Sequence, residues 1–165
     1  MKMRMILGPL AIVAALIFSQ AARASDMSEV KNLSRQAVEM WAGDAVIDTA
    51  IFAPGYMNHQ EPKSAGGVGS VDLQTWVQIV EGTHSAFPDL TVEIYRQIAE
   101  GDMVATHWRF AGTQSGPYLG QAATNRSVAW TGVQIDKIEG GKIAESWVVW
   151  DFHSLLVELG LNARE

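Results

Sequence analysis

The stretch TVEIYRQIAEGDMVATHWRF, residues 91–110, decides the fold class. Its first half alternates, placing Val92, Ile94 and Ile98 on one face of a strand. Glu100-Gly101-Asp102 makes a turn, and Met103 to Phe110 reads as the antiparallel return strand. Trp108 and Phe110 oppose Met103 and Ala105 there, so both faces of the strand carry apolar groups. Strands covered on two sides need a layer of helices on one face and a second partner on the other.

Working outward, a loop rich in Gly, Ser, Thr and Pro runs from Gly112 to Arg126. Ser127 to Ile138 and Ile143 to Trp150 then form a second hairpin, closed by Glu139-Gly140-Gly141-Lys142. Trp147 opposes Trp150 on its last strand, and Phe152 to Leu159 is a short closing helix. Upstream the period changes. Val30, Leu33, Ala37, Met40 and Trp41 recur at helical spacing behind a cap at Asp26 or Ser28, and Gly43 ends that helix. A short second helix is expected over Ala45 to Ile51, a break at Pro54-Gly55, a strand over Tyr56 to His59, and a loop from Gln60 to Gly69. Ser70 then caps a third helix carrying Leu73, Trp76, Val77, Val80 and His84, which Pro88 ends. Helices first and a meander afterwards argue an α+β domain, helices covering one face of a mainly antiparallel sheet. The open face predicts a homodimer.

A chain of 165 residues supports one such domain, and 48% apolar against 18% charged residues is a globular balance rather than a disordered one. No cysteine is present, so no disulfide staples the core. Lys2 and Arg4 precede an apolar run, Met5 to Phe18, and Ala22-Arg23-Ala24 gives a small-x-small site. The run is shorter than the roughly 20 residues of a bilayer span, so residues 1–24 read as a cleavable signal peptide and 25–165 as the mature domain, periplasmic or secreted. Cleavage removes Lys2, Arg4 and Arg23 and no acid, leaving a net charge of about −9. A chain so acidic makes a poor partner for nucleic acid, and after cleavage for a membrane surface.

A series of short motifs is laid along this frame. Phe87-Pro88-Asp89-Leu90, Ala99-Glu100-Gly101-Asp102, Gly112-Thr113, Thr124-Asn125-Arg126 and Gly141-Lys142-Ile143-Ala144-Glu145-Ser146-Trp147 follow in order, and Leu155-Leu156 and Leu159-Gly160 close the series. Together they resemble the SnoaL-like polyketide cyclases, or ester cyclases, of the nuclear transport factor 2-like superfamily. The resemblance, from about Val30 to Leu161, implies a cone of curved sheet wrapped round helices, with an apolar cavity for a hydrophobic small molecule. It also implies ring closure by proton transfer next to a carbonyl, with no metal or organic cofactor. The family's Tyr-x-Asn element stands here as Tyr56-Met57-Asn58, followed by His59. The family's His on the penultimate strand falls at Gln134, its acid/base Asp at Val148, and a His after Gly-Thr at Gln114.

The candidates follow from chemistry and placement. Tyr56 and Asn58 share a strand face, where they hold a carbonyl or water or else satisfy loop backbone. His59 is an acid/base candidate or a surface histidine. His107 lies mid-strand in an apolar stretch, either a general base facing the cavity or a satisfied core or interface histidine. Arg109 shares its face, and binds an acidic substrate or pairs with Glu93 or Glu145. Asp151 is either a carboxylate at the pocket rim or the N-cap of the closing helix. Gln134 can orient a ligand but not act as a base, and Trp108 and Trp150 supply pocket wall. The four histidines occur singly, without the paired spacing of a metal site. Three readings stand: a cyclase-type enzyme, an enzyme resembling limonene epoxide hydrolase through Tyr56 and Asn58, and a non-catalytic periplasmic binding module.

Overall fold

A computed structural model describes residues 27–60 and 69–161. The expected signal peptide and most of the expected loop between Gln60 and Gly69 lie outside the described residues. Helix α1 covers residues 27–39. Strands β1 (Phe52–Gln60) and β2 (Gly69–Asp72) follow, then helix α2 (Leu73–Ala86). Strands β3 (Thr91–Glu100), β4 (Met103–Thr113), β5 (Ser127–Glu139) and β6 (Lys142–Trp150) form the meander, and helix α3 (Phe152–Leu159) closes it.

The six strands make one sheet in the order β2-β1-β6-β5-β4-β3. Every neighbouring pair is antiparallel except β1 with β6, so the sheet is mixed. Helices α1 and α2 pack on one face of it. Val30 and Ala37 from α1, Met40 just after it, and Trp76 and Val80 from α2 pack with Phe52, Tyr56, Val104, Ile138 and Ile143 of the sheet. A second cluster joins Leu155 and Leu159 of α3 to Trp108, Phe110, Val128, Trp130 and Val148. Gly140 and Gly141 both adopt positive φ, 57° and 75°, the backbone that a two-residue hairpin loop requires.

Four local expectations are corrected. Only Thr49–Ile51 of the expected second helix is helical, as one 3-10 turn, because the Asp48 side chain accepts from the Ala50 amide and starts the turn late. Pro54-Gly55 does not break β1. The β1–β6 pairing skips from Phe52 to Met57, leaving a gap in the ladder where proline's missing N–H costs nothing. Ser70 belongs to β2, and Asp72 caps α2 by accepting from the Thr75 amide at 2.8 Å. In β3 the register slips between Ile94 and Arg96. That bulge sends Ile98 to the outer face, 66% exposed, while Val92 and Ile94 face the core.

Candidate functional site

The alternation of β4 and β5 builds the site. Trp108 and Phe110 stack at 4.0 Å between ring centroids, and Trp130 meets Phe110 edge-on at 5.8 Å. Trp41, beyond the end of α1, closes on Phe110 at 6.0 Å. Gly132 permits this: a Cβ there would lie 2.4 Å from Trp108 Cζ2 and 2.8 Å from Trp150 Cβ. Between these rings, Ile79 and Thr83 of α2, Tyr118 of the β4–β5 loop and Val148 lies a cavity of about 60 Å³, with Gln60 and Gln134 as its amides. That is less than the roughly 150 Å³ that holds benzene in an engineered apolar cavity. A ring-sized guest therefore enters only as the aromatic walls move apart.

Beneath the cavity lies a buried polar floor. Asp136 is fully buried. Its Oδ1 accepts from Ser146 Oγ at 2.5 Å and Gln134 Nε2 at 2.8 Å, and its Oδ2 from Ser34 Oγ at 2.5 Å. Two chains of donors converge on it. In one, Asn58 Nδ2 donates to Tyr56 Oη at 3.0 Å and Tyr56 Oη to Ser146 Oγ at 3.1 Å. In the other, Gln97 Nε2 donates to Thr106 Oγ1 at 3.0 Å, and Thr106 lies 2.7 Å from Ser34 Oγ. Ser34 already donates to the carboxylate, so Thr106 donates to Ser34. Burial pushes the Asp136 carboxyl up to about 6, against the pull of the serines and Gln134 toward ionisation. Burial likewise raises the Tyr56 hydroxyl, which stays a neutral donor.

Of the residues singled out from sequence, the structure brings Gln134, Trp108 and Trp150 to the cavity wall and Tyr56 and Asn58 to the floor. It does not bring His107, Arg109, His59 or Asp151 there. Strand alternation turns His107 and Arg109 to the outer face, opposite the buried Trp108 and Phe110. His107 meets Tyr95 edge-on and shares a shallow outer groove with Thr131, Val149 and Asp151. Asp151 caps α3: its carboxylate accepts from Ser154 N at 3.0 Å and Ser154 Oγ at 2.6 Å, which hold its pKa below the usual value. His59 also faces outward, between Ser70 Oγ at 2.8 Å and Glu145 Oε2 at 3.1 Å, stacked on Trp147. Gln114 is buried and ties the β4–β5 loop through Gly116 O, Ala122 O and Thr124. Among the described residues, no group of three or more His, Cys, Asp or Glu side chains is placed to hold a metal ion.

Sequence reasoning missed Asp136, Ser146, Ser34, Thr106 and Gln60. The signal for Asp136 was present, because period-two alternation puts it on the face of Trp130 and Gln134. An acid on the apolar face of a central strand is a buried acid.

The family model described as SnoaL-like polyketide cyclase matches residues 31–159. The chain belongs to that family. Its fold also superimposes on solved structures. The candidate hydroxylase AclR from Streptomyces galilaeus is 29% identical with a TM-score of 0.72, the match covering 84% of this chain and 89% of that one. The candidate polyketide cyclase IdmH from Streptomyces antibioticus is 26% identical with a TM-score of 0.67, covering 79% and 98%. A candidate SnoaL-like polyketide cyclase from Jannaschia sp. CCS1, 17% identical with a TM-score of 0.70 over 84% and 95%, supports the fold alone. No curated protein matches the chain. With the family comes the nuclear transport factor 2-like cone expected from the sequence motifs.

Proposed function

We propose that this protein is a cyclase- or hydroxylase-like enzyme acting on a hydrophobic carbonyl compound by acid/base chemistry. One observation carries the reading: an aromatic cavity whose floor amide, Gln134, is hydrogen-bonded to the buried Asp136 carboxyl. The aromatic walls take the apolar body of the substrate, the Gln60 amide meets its carbonyl oxygen, and Gln134 accepts from its enol hydroxyl. Val148 stands at the position of the family's carboxylate, so no carboxylate or imidazole lines the cavity among the described residues. Water then takes the proton from carbon and returns one to the oxygen, while the cavity orients the substrate and stabilises its enol, with Asp136 setting the polarity of the floor. The test is exchange of the protons next to the carbonyl in 1,3-diketones, followed by NMR in deuterated buffer. The protein is expected to accelerate exchange over buffer, and Gln134→Leu to remove most of the gain.

The same absence of a carboxylate or imidazole on the wall, among the described residues, favours a second reading, a non-catalytic binding module. Diketones that bind without faster exchange or cyclisation establish it in place of the enzyme. Both readings keep a second copy of the chain on the outer face, where Val133, Ile135, Trp147 and Val149 are 36–61% exposed. Light scattering of the purified mature chain tests that dimer.

A further inference from the structure

Gln134 has one amide and two neighbours, the cavity and Asp136. Its Nε2 donates to both carboxylate oxygens, at 2.8 Å and 3.0 Å. Which way round the amide sits follows from the partner, since an ionised carboxylate only accepts. Ser34 and Ser146 spend their hydroxyl protons on the same carboxylate. Every donor round Asp136 is thus aimed inward, and reversing the amide would set carbonyl against carboxylate. The other end, Gln134 Oε1, has no hydrogen-bond partner among the described residues, and it is not one of the polar atoms sealed away unpartnered, which are Asn58 Oδ1 and Trp108 Nε1. Gln134 itself lines the cavity. The floor therefore shows the guest an acceptor.

We infer that the cavity selects ligands carrying an O–H or N–H donor at the tip of an apolar ring, read by Gln134 Oε1, and that Asp136 is the positioning residue that holds the amide carbonyl-first. This rests on the proposed function and deepens it. For a carbonyl substrate, the tautomer that fits is the enol, whose hydroxyl donates to Gln134, and the keto form leaves that oxygen unpaired. A buried acceptor facing a guest with no donor loses its water without replacement, which is how a polar site rejects a close analogue.

The isomers p-cresol and anisole test this, having the same atoms but only one of them a donor. Titration of the full mature chain at pH 7.5, followed through the indole N–H signals of the tryptophans in a 1H–15N spectrum, reports affinity and place together. The expected result is p-cresol binding at least about fivefold tighter than anisole. Gln134→Leu is expected to bring the two within about twofold. Asp136→Asn offers the Gln134 amide a donor, turns it NH2-outward, and is expected to erase the preference by weakening p-cresol and strengthening anisole, whose ether oxygen then meets a donor. A merely structural role for Asp136 would weaken both ligands alike. Equal binding of the two isomers to the wild-type protein overturns the inference and leaves the pocket reading standing. Binding of neither overturns both, and the wild-type comparison decides even if a variant fails to fold.

Discussion

The two faces of strands β4, β5 and β6 carry polar groups of opposite kinds. The inner face holds Thr106, Gln134, Asp136 and Ser146, buried and bonded only to one another and to Ser34, Tyr56 and Gln97. The outer face holds His107, Arg109 and Glu145, half exposed, with His59 of β1 beside them. Water screens and replaces the contacts of the outer set, so losing one costs little. The inner set has no such substitute: each group depends on its neighbours. Histidines drew attention by residue type, yet the group under the cavity is an aspartate. What separates the two sets is which side of the pleat they occupy.

The largest test breaks the inner network outright. Asp136→Ala strands the protons of Ser34, Ser146 and Gln134 and opens a void, and is expected to cost roughly 3–5 kcal/mol in urea denaturation. A loss under about 1 kcal/mol would show that water reaches the floor and replaces the lost partner.

Next comes the charge itself. Folding raises the Asp136 carboxyl from 3.8 to about 6, so the native state holds its proton where the unfolded chain has released it. The contribution of this group to stability is complete below pH 4 and falls as pH rises to about 6, where it is lost. At about 1.4 kcal/mol per unit the whole change is about 3 kcal/mol. Asp136→Asn is expected to flatten this slope and to raise the melting temperature at pH 8, while removing ligand discrimination. An unchanged slope would place the titration on another group.

Gly132→Ala sharpens the comparison from the cavity side. Its Cβ would lie 2.4 Å from Trp108, so that ring must shift, with an expected loss of about 1–3 kcal/mol and altered ring contacts seen by tryptophan fluorescence. Asp151→Ala, at the helix cap, is expected to cost about 1 kcal/mol and to leave p-cresol affinity unchanged. His107→Ala and His59→Ala should have the smallest effect, ligand affinity and proton exchange staying within about twofold of wild type. A tenfold loss in either would move the chemistry to the outer face.

Much of the fold was legible in the residues because alternation and helical spacing are local. The β3–β4 and β5–β6 hairpins, α1, α2 and α3 follow from runs a few residues long. The site was legible only in part. Tyr56, Asn58, Gln134, Trp108 and Trp150 come together because each shares a strand face with core residues. His107 and Arg109 sit on the same strand one step out of phase, and apolar flanks on both sides hid which phase was inner. Asp151 lies just past the end of β6, where capping a helix takes its carboxylate.

By itself the sequence determined an α+β domain with a meander of long strands and an aromatic inner face, since period and turn chemistry act between near neighbours. Only the tertiary structure decided that β1 lies parallel beside β6, that a bulge turns Ile98 outward, and that Ser34 reaches Asp136 across 102 residues. Those contacts join segments far apart in the chain, where the strength of a hydrogen bond depends on what else has left the water, and no local pattern records that.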